Sequence, residues 1–314
     1  GGVFYLVEYF IQKQHSVNES TSLVAPQTMS QLREGGYQYV RPLVLADLND
    51  ESPSLATIKQ ELQQYVNEAK SSQQTADVSI YFRRMNDGAW FSINSNQVYN
   101  PASLIKVAFL ITYLKSAEST PGLLNHKLHF EKRSANYVQN IKAPRLKENQ
   151  DYTIQYLLNY MIQYSDNDAT TLLQDNADAG TFVNLFNDLK IPIPDFSKEY
   201  FMTATDMAKL FRVLYNGTYL NKESSEYALE LLTKSEYKNG LMGGIDQPVM
   251  VAHKFGERVI GNTAQLHEFG IVYCGDQPYL IGVMTTGTNL EQLSAVVQKI
   301  SSLAFHQYKT SFGC

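Results

Sequence analysis

Three short polar motifs in this 314-residue chain could do chemistry together: Ser103-x-x-Lys106, Ser165-Asp166-Asn167 and His253-Lys254-Phe255-Gly256. Ser103 and Lys106 stand one turn apart, so on a helix their side chains share a face. The run from Leu104 to Leu114 is almost wholly apolar, and a helix that is apolar all round belongs inside a protein. An ammonium buried there without partners is costly, so Lys106 must be paired or give up its proton. A neutral amine beside a serine hydroxyl can take the hydroxyl's proton. The first-turn N–H groups of the helix can then stabilise an oxyanion formed on a substrate. The pair reads as a nucleophile and its base.

Spacing alone does not carry that reading. A second copy, Ser235-x-x-Lys238, lies in a polar run from Lys234 to Gly240 that reads as a helix end with a solvated lysine. Ser-Asp-Asn taken alone is ordinary helix-capping chemistry. Lys254 taken alone is a solvated strand lysine. The buried helix behind Ser103 is what sets the first copy apart.

The elements that must position these groups follow from periodicity. Pro101 ends the preceding strand and lets a helix begin near Ser103. Before it, Arg41–Leu48 reads as a short extended piece, and Ser54 as the cap of a helix facing inward through Leu55, Ile58, Leu62 and Val66. Ala76–Arg84 alternates as a strand, Asn86-Asp87-Gly88 signals a hairpin, and Ala89–Ile93 returns as its partner. Thr120–Asn149 is polar and reads as loops and short helical turns. Helices follow from Thr153, from Ala169 to Asn176, over Thr181–Leu189, behind the capping box at Thr203, and over Ser224–Thr233. Val249–Phe255, Gln265–Tyr273 and Tyr279–Thr285 read as strands, and Asn289 to His306 as a closing helix. Hairpin-linked strands are antiparallel. The expected fold is therefore α/β of the α+β type: a five-stranded antiparallel sheet flanked by helices, with an all-helical subdomain over about 104–242.

Composition limits the function classes. A net charge of −5 and no Lys/Arg cluster argue against a nucleic-acid partner. Cys274 and the terminal Cys314 make no disulfide framework and lack the spacing of a metal site. His126 and His129 have metal-like spacing without a third ligand nearby, so no metal and no cofactor is implied. Residues 3–11 are apolar but too short to span a bilayer, and a Ser/Gln/Asn-rich segment follows to about Gln38. Residues 1–50 read as an anchor stub and linker arm, with the folded domain over 51–314. That arrangement points to export, either extracellular or membrane-anchored on the outer face.

The three motifs, in this order and in these settings, resemble the penicillin-recognising serine hydrolases, the class A β-lactamases and low-molecular-weight penicillin-binding proteins. Thr285-Thr286-Gly287 at the end of the last strand also looks like that family, and the resemblance runs from about Ser54 to Tyr308. It implies a β-lactamase/transpeptidase-like fold and a set of roles. Ser103 would form an acyl-enzyme with Lys106 as base or hydrogen-bond hub. Ser165 would relay a proton to the leaving nitrogen, and Asn167 would hold Lys106 and a substrate amide. Lys254 would supply positive charge, and the backbone N–H groups of Ser103 and Glu257 would form the oxyanion hole beside Gly256. The substrate would be a β-lactam or a cell-wall peptide.

Two departures from the family pattern matter. Phe255 stands where the family carries Thr or Ser, which removes a hydroxyl that helps bind the substrate carboxylate; Arg258 or His253 are candidates to replace it. The Glu-x-x-Asn pair that positions the deacylating water in class A β-lactamases is missing; Glu199, the only glutamate in the shortened loop, is the candidate deacylation base, with Asp195 the other acid there. Slow deacylation is the expectation. The rival reading is a catalytically idle domain that binds cell-wall peptide or a protein partner.

Overall fold

The computed structural model describes residues 28–39 and 42–314. The apolar stretch at residues 3–11 and most of the polar segment after it lie outside these. Strands β1 (Met29–Arg33) and β2 (Leu43–Leu48) pair antiparallel, and helix α1 (Ala56–Ser71) follows. Then come β3 (Asp77–Arg84), β4 (Trp90–Ile93), β5 (Val98–Tyr99) and a 3-10 turn, Ala102–Ile105, running directly into α2 (Lys106–Ser119). The middle of the chain holds β6 (Lys127–Phe130), β7 (Gln150–Thr153), α3 (Ile154–Gln163), α4 (Asn167–Asn176), α5 (Ala179–Leu189), β8 (Met202–Thr203), α6 (Ala204–Asn216) and α7 (Lys222–Thr233). Strands β9 (Met250–Ile260), β10 (Thr263–Tyr273) and β11 (Tyr279–Gly287) precede the last helix, α8 (Leu290–Phe312).

The main sheet has five strands in the order β4-β3-β11-β10-β9, every neighbouring pair antiparallel. Alternation along the strands sends side chains into two separate cores. Ile80, Phe82, Ile281 and Val283 pack against α1 and α8, through Ile58, Leu62, Val297 and Ile300. Ala252, Phe269, Ile271 and Met284 face the helical layer, whose centre is the apolar run Val107–Leu114 of α2. Thus α2 is buried because a second layer of helices wraps the side that the sheet does not cover. The helical layer also carries two small two-stranded pairings, β5 with β8 and β6 with β7. The second of these lies partly in the polar stretch expected to be loops and helical turns.

Three local expectations change. The helix expected to start from a Ser54 cap opens instead on a 3-10 turn at Pro53, with no side-chain cap bond; proline presets the turn's φ. The segment read as the end of a linker is docked: Val44 and Leu45 are buried, and Asp47 accepts from Arg83 at 2.9 Å and from Arg212 at 2.7 Å. Arg212 is only 1 % exposed, so a carboxylate from β2 is what keeps that cation paired. Finally, Cys274 and Cys314 are joined in a disulfide that fastens the chain end to the turn after β10. No framework exists, but a single staple does.

Candidate active site

The serine turn is held from three sides. Ala102 takes a left-handed backbone, φ +49°, immediately before Ser103, a conformation that residues with a Cβ seldom adopt. Asn100 Oδ1 accepts from the Ala102 N–H at 2.9 Å. The Asn100 carbonyl accepts from His267 Nε2 at 3.0 Å, while His267 Nδ1 accepts from the Thr285 N–H at 3.1 Å. Those two bonds fix the neutral tautomer, and burial pushes the His267 pKa down to about 4. From the third side comes Gly256. A Cβ there would stand 2.7 Å from the Pro101 carbonyl and 2.9 Å from the Ser103 nitrogen. Glycine is needed because the serine turn's own backbone packs against β9.

Lys106 follows Ser103 by one turn in the same continuous helix and is 2 % exposed. Its Nζ donates to the Ser165 carbonyl at 2.7 Å, to Asn167 Oδ1 at 2.8 Å and to Ser165 Oγ at 3.1 Å. Burial lowers its pKa to about 7, with the Asp166 carboxylate opposing the shift. Two of the three acceptors are carbonyl oxygens, which can only accept. A neutral amine satisfies both and keeps its lone pair for a hydroxyl.

Ser165 and Asn167 arrive on the turn between α3 and α4. Ser165 is left-handed, φ +52°, and buried. Asp166 caps α4, Oδ1 accepting from the Ala169 N–H at 2.8 Å, and its Oδ2 accepts from the Tyr137 hydroxyl at 2.9 Å. Asn167 Nδ2 donates to the Val138 carbonyl at 2.9 Å. The capping role and the hub role therefore coexist: Asp166 caps, while its neighbours turn to Lys106.

Lys254 is fully buried on edge strand β9. Its Nζ donates to Ser165 Oγ at 2.9 Å and to the Phe255 carbonyl at 2.8 Å. Burial, then the nearby Lys106, press its pKa well below the ordinary lysine value, against the opposing pull of Glu268 and Glu257. Phe255 stacks on Tyr237 with ring centroids 4.0 Å apart, and Lys254 Nζ stands 4.4 Å from the Phe255 ring centroid. The aromatic pair gives the buried amine an apolar wall and a π face in place of a hydroxyl.

Ser103, Lys106, Ser165, Asn167, Lys254 and Gly256 are thus brought together, with Glu257 next in line on β9. Glu199 reaches the serine turn only through Asn100 and is otherwise committed to Arg258. Its carboxylate forms a two-pronged ion pair with Arg258, with Oε2 2.8 Å from Nη1, and also accepts from Asn100 Nδ2 at 3.2 Å. The hydrogen bonds from Arg258 and then Asn100 hold its pKa near 2. A carboxylate so committed is a poor proton acceptor. The same pairing occupies Arg258. His253 shares the face of β9 that carries Phe255, where its Nδ1 lies 2.6 Å from Glu268 Oε1 in full burial. Both candidates for the lost hydroxyl's part are thus engaged by carboxylates, Arg258 by Glu199 and His253 by Glu268.

Ser235 of the second Ser-x-x-Lys copy is buried, whereas Lys238 is exposed and donates to the Ser235 carbonyl at 2.7 Å. His129 pairs with Asp151 across β6 and β7 at 2.8 Å, and no group of metal-ligating side chains occurs among the described residues. Sequence reasoning missed Asn100, Tyr137 and Tyr237. Asn-Pro before the serine was a turn signal for the first; nothing local announces the other two.

A five-stranded antiparallel sheet with a helical layer, meeting at a serine–lysine pair, defines a serine hydrolase. The chain belongs to the β-lactamase enzyme family, whose sequence model matches residues 57–308. No curated protein matches it. Among solved structures, PBP-A is 23 % identical with a TM-score of 0.67, covering 83 % of this chain and 98 % of its own. A β-lactamase from Chitinophaga pinensis is 20 % identical with a TM-score of 0.69, over 79 % and 99 %. TLA-1 extended-spectrum β-lactamase is 17 % identical with a TM-score of 0.71, over 83 % and 100 %. At these identities the likeness is one of fold.

Proposed function

We propose that the protein is an acyl-transfer hydrolase that opens β-lactam or peptide amides through a covalent intermediate on Ser103. The observation that carries this reading is that Lys106, one turn after Ser103, and Lys254 both reach Ser165 Oγ in full burial, with Asn167 also held by Lys106. Ser103 Oγ attacks the carbonyl carbon as its proton passes to neutral Lys106. The oxyanion is met by the N–H groups of Ser103 and Glu257. As the C–N bond breaks, the leaving nitrogen takes the Ser165 hydroxyl proton, which the protonated amine replaces. Ser165 suits that part because its Oγ lies within hydrogen-bond reach of both Lys106 and Lys254, either of which can return the proton it gives up.

Deacylation is slow in this reading, because Glu199 is engaged with Arg258 and no other glutamate lies in its loop. A penicillin-binding or D,D-peptidase-like activity fits better than rapid β-lactam destruction. A point mutant of PBP-A has been captured as an acyl-enzyme complex with penicillin G, which supports β-lactams as probes. The Cys274–Cys314 disulfide supports an exported location, on the cell's outer face or beyond it, since such bonds persist in oxidising compartments.

A pulse of fluorescent penicillin followed by an unlabelled chase tests the reading. Label that appears and then decays over many minutes supports it. Fast multiple turnover, or label unaffected by Ser103→Ala, contradicts it. The idle-domain alternative draws on the same engagement of Glu199, and a covalent adduct excludes it.

A further inference from the structure

The cleft beside Lys254 already contains a carboxylate. Glu257, three residues further along β9, is half-buried and hydrogen-bonded by Asn140, and its charge acts on Lys254. It lines a cavity of about 710 Å³ together with Tyr237, Glu236, Lys238 and Glu291. Of the charged side chains on that wall, three are glutamates and one is a lysine. Lys238 already donates to the Ser235 carbonyl. Lys254 is itself fully buried and does not line this cavity, so an incoming carboxylate would meet Glu257 rather than the amine, and in a half-buried setting like charges repel strongly. Phe255 adds nothing polar to offset this, because its ring stacks on Tyr237.

We infer that Glu257 is a specificity-determining residue that turns away substrates with a carboxylate beside the scissile bond and favours substrates carrying an ammonium there. The inference rests on the acyl-transfer reading above and deepens it. The backbone of Glu257 serves the oxyanion, while its side chain sorts substrates by charge. The preferred substrate class is an amide or ester with a basic group on the leaving side. Penicillins, which present a carboxylate at that place, are then poor acyl donors that label the protein slowly.

Three matched thioesters test this, identical except for a carboxylate, a carboxamide or an aminoethyl amide on the leaving side. In the wild-type protein kcat/KM should fall in the order ammonium, carboxamide, carboxylate, with about tenfold or more between the extremes. Glu257→Gln keeps the shape and the Asn140 partner. It should raise kcat/KM for the carboxylate substrate relative to the ammonium substrate about tenfold. The wild-type ranking needs no variant, so a folding defect cannot hide the answer. If the carboxylate substrate is the best of the three, or Glu257→Gln shifts all three alike, the inference is overturned while Ser103 acylation stands. Turnover that survives Ser103→Ala overturns the acyl-transfer reading itself and this inference with it.

Discussion

Lys106 and Lys254 donate to one oxygen, Ser165 Oγ, at 3.1 and 2.9 Å, and both are buried. Two full positive charges that close in a dry site repel by several kcal/mol. Burial pushes both amines toward the neutral form, Lys106 to about 7 and Lys254 well below its ordinary range, and the nearby Lys106 adds to the shift of Lys254. In the acyl-transfer reading proposed above, the two amines and the hydroxyl they share form the proton-transfer unit.

Acylation should depend on pH through this unit. Lys106 acts as base only when unprotonated, so the rate should fall about tenfold per unit as pH drops below about 7. Asp166 raises that pKa, so Asp166→Asn should move the acidic limb to lower pH while keeping the α4 cap. Stopped-flow labelling from pH 5 to 9 reads both effects.

Glu199→Gln should leave deacylation within about threefold of wild type, because the carboxylate it removes is committed to Arg258 and Asn100. Release of the acyl group followed by intact mass reads this. A drop of a hundredfold would mean that Glu199 leaves Arg258 when substrate is bound.

Asp47→Ala should destabilise the domain by about 3 kcal/mol, since it strips the carboxylate partner from buried Arg212 and from Arg83. Urea unfolding at pH 7 measures it. The same experiment on Asp47→Asn, which retains one hydrogen-bond acceptor for the guanidinium groups, should show a smaller loss.

Reduction of the Cys274–Cys314 bond, which closes a 40-residue separation, should cost about 4 kcal/mol on the chain-entropy account. Thermal melts with and without reductant test this. Labelling of Ser103 in the cold should persist in both, because the staple lies at the chain end and not beside the serine turn.

Much of this was legible in the sequence. The five strands, the apolar run behind Ser103 and the order of the three motifs follow from periodicity and residue type. The lost features share one physical cause, which is dependence on distant partners. Asp47 looked like part of a polar arm because its partner, Arg212, lies far along the chain on α6. Glu199 looked available because Arg258 sits on a separate strand. Phe255 read only as a missing hydroxyl, since nothing near it foretold Tyr237 beneath its ring. Nor does anything near Gly256 in sequence announce that the backbone packed against it is the chain's own serine turn.

The most direct test of the account is intact-protein and peptide mass spectrometry after incubation with a panel of β-lactams. The account predicts a single added acyl group, located on Ser103, persisting for minutes and absent from Ser103→Ala and Lys106→Met. An unmodified protein after hours with every member of the panel, or an adduct on any other residue, would contradict it.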